Sequence, residues 1–180
     1  MDRNYFLQTL LTGGLMMGFK GRLLFPEGTP SREELIRIWQ TSGELTQEFA
    51  EAMPAAEYLF RPADRGNIYT YGGQMQHIAE NNVGLLSNYI TDEPPPAIPV
   101  EKHDEKEVIK ENIRKSFAYG IRAIEKLSTE EMTDVVDFFA RPLPRWHVLF
   151  IAQDHTTHHC GQAVVYLNAK GIDPPSWRKW

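Results

Sequence analysis

The sequence predicts an all-α protein built as a four-helix bundle, and three observations predict it. Four long segments carry apolar residues at helical spacing. The one stretch that favours strand, Asp134-Val135-Val136-Asp137-Phe138-Phe139, is short and fits a small strand pair or an irregular lid between Ser128 and Pro144. Residues 91–103 hold Pro94, Pro95, Pro96 and Pro99, which excludes a continuous helix there.

The first helix is expected over 31–53. Pro30 precedes it, Ser31 and Glu34 form a capping box, and Leu35, Ile38, Trp39, Leu45, Phe49 and Met53 repeat along one side. Pro54 ends it. Residues 61–67 have turn chemistry, and Thr70 is placed to cap the second helix. Tyr71, Met75, Ile78, Asn82, Leu85 and Tyr89 give one face of that helix. His77 projects about 100° from Ile78, on a roomier polar side with Thr70, Gln74, Asn81 and Gly84.

Thirteen extended residues from 91 to 103 reach about 40 Å, whereas a helix of about 20 residues is only about 30 Å long. Helices two and three are therefore expected to run parallel, joined by a long crossover. Asp104 opens helix three, with Ile109, Ile113, Phe117, Ile121, Ile124 and Leu127 on its core side. Helix four runs from near Pro144 to about Lys170, where Gly171 and then Pro174-Pro175 stop it. Its expected main stripe is Trp146, Leu149, Phe150, Cys160, Val164 and Leu167. Trp39, Trp146, Phe117, Phe138 and Phe139 read as core, and Trp177 and Trp180 as docking the tail against the body or a partner chain.

The 180 residues suit one ordinary domain, over 31–180, with residues 1–30 as an extension. The net charge of −5 argues against a general nucleic-acid binder. No run of about 18 apolar residues marks a membrane span. The single cysteine, Cys160, excludes an internal disulfide and suits a reducing, cytoplasmic compartment. Export is the alternative, because Thr9 to Phe19 is apolar and glycine-rich and faintly resembles a twin-arginine signal with one arginine where two are wanted. The competing reading of that segment is an extra helix packed on the domain or at a dimer interface.

Candidate chemistry concentrates in Asp154-His155-Thr156-Thr157-His158-His159-Cys160-Gly161-Gln162. His155 and His159, spaced i, i+4, lie about 40° apart on one side of the helix, close to Val148, Ala152, Gln162 and Tyr166 and distinct from the main stripe. Two such imidazoles can share a metal ion or serve as two hydrogen-bonded structural histidines. His77, on a separate helix, strengthens the metal reading, since three neutral imidazoles leave a fourth position open. His158 faces about 60° away from His155, as an outer neighbour or surface residue paired with Asp154. Thr156 stands where a zinc protease needs Glu, which removes that reading. Glu80, one turn beyond His77, is the candidate proton acceptor, with a solvated helix position as the bland alternative. Cys160 reads as a buried helix residue rather than a nucleophile, and His103 and His147 as linker and helix-start residues.

The run from His155 to Gln162, followed by Tyr166-Leu167 and Gly171-Ile172-Asp173-Pro174-Pro175, resembles the closing helix of the DinB/YfiT-like proteins. Thr70 to Glu80, with His77-Ile78-Ala79-Glu80, is similar to that family's first ligand helix. The likeness covers about residues 31–177, and Cys160 stands where many members carry Arg. It implies an up-down-down-up bundle, usually a homodimer, that binds a divalent metal through His77, His155 and His159. The family's activities are scattered between thiol S-transferases or isomerases, which use a low-molecular-weight thiol, and hydrolases. The expectation is an enzyme with Zn²⁺ or Ni²⁺ that activates water or a thiol toward a small-molecule substrate. The alternatives are a non-catalytic metal- or ligand-binding stress-response bundle and a structural dimer whose histidines hold no metal.

Overall fold

A computed structural model describes residues 29–64, 68–99 and 105–177. Within them lie five α-helices: α1 (Arg32–Ala52), α2 (Tyr71–Tyr89), α3 (Lys106–Lys126), the short α4 (Thr129–Thr133) and α5 (Arg145–Ala169). A single hairpin, β1 (Val135–Phe138) and β2 (Arg141–Pro144), pairs antiparallel with Val135 opposite Pro144. The protein is thus all-α, as expected. Residues 1–28, and with them the proposed extension or signal, lie outside the described residues, as do His103, Asp104 and Trp180.

The helix starts follow local rules. Glu34 N donates to Ser31 Oγ at 3.1 Å and Ser31 N donates back to Glu34 Oε2 at 2.8 Å, closing the expected box. Thr70 Oγ1 accepts from Gly73 N at 2.9 Å. A second box, Ser128 with Glu131, starts α4, an element not anticipated from the sequence. At the other end of α5, Gly171 takes φ +69°, the left-handed conformation that stops the helix.

Contacts between the long helices fix their directions. Gln47 meets the Lys110 carbonyl and Arg32 meets that of Glu125, so α1 and α3 are antiparallel. Asn112 donates to Gln76, and Leu86 lies against Gly120, so α2 and α3 run the same way. Thr46 touches Cys160 and Ser42 touches Gln153, so α1 and α5 run together against the other two. The segment joining α2 to α3 begins beside the C-terminal part of α3, where Tyr119 Oη donates to the Glu93 carbonyl at 2.6 Å. It then passes back to Gln76, whose Nε2 donates to the Pro99 carbonyl at 3.3 Å.

Trp39, Phe49, Tyr58, Tyr71, Met75, Ile78, Ile109 and Tyr119 are fully buried in the centre. Gly120 lets this core close: a Cβ there would stand 2.6 Å from Trp39 Cε3.

The stripe expected on α5 needs correcting. Leu149, Cys160 and Leu167 are buried, but Phe150 is 49% exposed and Trp146 and Val164 are half-buried. Ala152, Thr156 and Ala163 are buried as well, and they join the Leu149 side to the His159 side. The helix packs on both α1 and α2. One broad buried arc is the result, and Phe150, about 100° from Leu149, falls outside it.

Candidate metal centre

α2 supplies His77 and α5 supplies His155 and His159. Because the two helices pack against each other, all three rings meet between them. One ligating nitrogen from each lies within 4.8 Å of the others. The ring centroids are 4.8 Å apart for His77 and His159, 5.0 Å for His77 and His155, and 4.4 Å for His155 and His159. His159 is buried, and His77 and His155 are half-buried. The pair chosen from its spacing and His77 from the other helix therefore come together as one group.

A hydrogen-bond chain sets the orientation of His159. Tyr166 Oη donates its proton to the Tyr69 carbonyl at 2.7 Å, so it can only accept from Gln74 Nε2, 3.2 Å away. That turns Gln74 Oε1 toward His159 Nδ1. An amide oxygen only accepts, so Nδ1 carries the proton and Nε2 is left with a bare lone pair. That Nε2 lies 3.1 Å from His155 Nε2. Ligand nitrogens on a tetrahedral Zn²⁺, with bonds of about 2.0–2.1 Å, stand about 3.3 Å apart. The three-imidazole donor set, the His155–His159 spacing and the outer partner on His159 fit a divalent ion.

Charge supports the same reading. Burial first, and then the nearby His77 and His158, press His155 down to about 4. Burial, then His155 and His77, press His159 down to about 3. Burial also lowers His77, against the opposing pull of Glu80. All three rings are thus neutral near pH 7, the state that ligates metal.

The remaining expected residues fall as follows. Glu80 is half-buried and outside the trio, and its Oε1 accepts from Gln76 Nε2 at 2.9 Å. His158 is exposed, and its bond is to Gln162 Nε2 at 2.9 Å rather than to Asp154. A helix side chain at i+4 overlies it directly. Thr156 is buried and donates to the Ala152 carbonyl at 3.1 Å. Cys160 is buried, with its thiol pushed up to about 12 mainly by that burial. His147 stacks on Trp146 at the start of α5.

Three residues of the site were given no role from the sequence: Gln74, Tyr166 and Tyr69. Gln74 and Tyr166 share the histidine-bearing faces of their helices, and that shared periodicity was the available signal. Tyr69, which stacks on His77 at 5.1 Å, left no sequence signal because it precedes the helix.

The sequence profile of the DinB family matches residues 25–178. The chain belongs to the DinB family. Solved structures of similar fold include a DinB-like protein from Bacillus cereus ATCC 10987, with TM-score 0.65 and 22% identity over 80% of this chain and 95% of that one. A DinB-like protein from Bacillus subtilis aligns with TM-score 0.61 and 21% identity, covering 79% of this chain and 96% of its own. A conserved protein from Enterococcus faecalis aligns with TM-score 0.58 and 19% identity, over 76% and 95% of the two chains. At such identities the likeness is one of fold. No curated protein matches this DinB-family chain. Among its described residues, no helix is long and apolar enough to cross a membrane.

Proposed function

We propose that this DinB-family protein is a divalent-metal-dependent enzyme whose ligands are His77, His155 and His159. The observation that carries the reading is the bare Nε2 of His159, held beside His155 Nε2 by the proton that Gln74 fixes on Nδ1. An ion bound there, Zn²⁺ or Ni²⁺, supplies a Lewis acid that lowers the pKa of water or a thiol to near neutrality.

The chain's own groups do the rest. Tyr69 stacks on His77 and shields it from solvent on that side. Glu80 is the assigned proton acceptor for the water reaction, and its charge already reaches His77. Gln76 Nε2 already donates to Glu80 Oε1 at 2.9 Å, so one carboxylate oxygen is engaged. A thiol that has lost its proton attacks an electrophilic carbon without a further base.

A screen of metal-loaded protein against small thiols with electrophiles, and separately against esters and amides, tests this. Turnover abolished by chelation and restored by Zn²⁺ or Ni²⁺ supports the enzyme. Bound metal with no turnover across both sets contradicts it and leaves a binding bundle. Glu80→Gln separates the chemistries, slowing hydrolysis by about 10²-fold or more while sparing thiol transfer.

A further inference from the structure

A cavity of about 340 Å³ opens beside His159, at the edge of the candidate metal centre. Its walls are apolar and aromatic: Ile68, Val165 and the rings of Tyr69 and Tyr166. Its polar groups are Gln74, Gln162 and His159, and no carboxylate, lysine or arginine lines it among the described residues. Gln74 and Tyr166 are already occupied by their bonds to each other, to His159 and to the Tyr69 carbonyl.

Gln162 differs. Its amide nitrogen can only donate, so His158 Nε2 accepts that bond at 2.9 Å. With the amide in that orientation Gln162 Oε1 is buried, close to His159, and no protein donor meets it at hydrogen-bonding geometry. A buried acceptor with nothing to accept costs stability unless a ligand or a water meets it. His158, the third histidine of the α5 run, is thus the partner of the Gln162 amide nitrogen.

We infer that this cavity binds the non-reacting part of the substrate, a neutral molecule with a planar apolar body and an N–H or O–H that donates to Gln162 Oε1. A cavity of about 150 Å³ suffices for a benzene ring. The larger volume here takes a ring with a substituent of similar size, seated between Tyr69 and Tyr166 next to His159. As a substrate pocket this rests on the proposed metal centre, whereas binding itself is a property of the cavity.

The test is titration of three probes, by calorimetry or ligand-observed NMR, into metal-free and Zn²⁺-loaded protein. Benzamide carries the ring and the donor. N,N-dimethylbenzamide keeps the ring without the donor, and benzoate is charged. Benzamide is expected to bind best, about tenfold tighter than its dimethyl derivative. Gln162→Leu removes that discrimination, and His158→Ala weakens it. Val165→Trp fills the mouth and abolishes binding by all three, and Val165 is 58% exposed, so the fold tolerates the change. Equal affinity for the two amides, discrimination that survives Gln162→Leu, or benzoate binding best overturns the inference. Zinc content measured on the same samples keeps the two readings apart. Probe binding without bound zinc fails only the metal centre, and bound zinc without probe binding fails only the pocket.

Discussion

His159 Nδ1 donates a hydrogen bond to Gln74 Oε1, eighty-five residues earlier in the chain, and that one bond decides which nitrogen faces His155. Gln74 is held in turn by Tyr166, which is anchored on the Tyr69 carbonyl. The metal reading therefore depends on residues that would not themselves be ligands.

Replacing Gln74 with Leu removes the partner of Nδ1 and frees the ring to take either tautomer. Metal affinity is expected to fall about 10–100-fold, the usual cost of losing an outer-shell partner. Tyr166→Phe leaves Gln74 in place but lets its amide turn over, and should cost less. Competition with a chromophoric chelator measures both. Unchanged affinity in Gln74→Leu contradicts the tautomer account.

Gly120 is a packing requirement. A methyl group there meets the Trp39 ring, which is itself pinned edge-on against Phe117 with centroids 5.7 Å apart. Gly120→Ala is expected to destabilise the protein by about 1–3 kcal/mol through overpacking, despite the better helix propensity of alanine. Urea unfolding followed by circular dichroism measures it. A variant as stable as the parent shows that the Trp39 ring can move aside.

Cys160 is 1% exposed and its thiol is pushed up to about 12 by burial. In native protein at pH 8 it should react with a disulfide reagent more than about a hundredfold slower than a free thiol, and at the ordinary rate once unfolded. A fast native reaction would show that α5 separates from α1, because Thr46 lies 3.8 Å from the sulfur.

Glu51 ties α1 to α3 through Lys106 at 2.9 Å and Lys110 at 2.7 Å. Hydrogen bonds from Lys110 and then Lys106 lower its carboxyl from 4.5 to about 2. Since the folded value is depressed, its contribution is complete above pH 4.5 and fades as the pH falls toward 2. The Tm difference between Glu51→Gln and the parent should be largest above pH 4.5 and narrow steadily below it. The pair is exposed, so the difference is small and shrinks in salt. A gap that persists unchanged to low pH contradicts this.

Local chemistry made much of this legible. The caps at Ser31 and Thr70 act over three residues, so the sequence alone exposes them. The His155–His159 spacing is likewise a property of one helix. The partner His77 came from its place on a roomy polar face, and the structure brings the three together. What stayed hidden depends on how helices meet. The role of Gln74 exists only once α2 lies on α5. Phe150 was misplaced because periodicity gives the angle of a residue but not how many neighbours a helix has. α4 was missed because five residues hold too little periodicity to register, although Ser128 and Glu131 carried its capping signal.

Whether His77, His155 and His159 hold a metal ion is read from the metal content of the protein. It should be measured by elemental analysis on protein purified without an affinity tag, for the parent and for His77→Ala, His155→Ala and His159→Ala. About one divalent ion per chain is expected in the parent, and loss of that stoichiometric metal in each variant, with the helical circular-dichroism signal retained. A parent that takes up no Zn²⁺ or Ni²⁺ when either is supplied, or a His155→Ala variant that keeps its full complement, would contradict it.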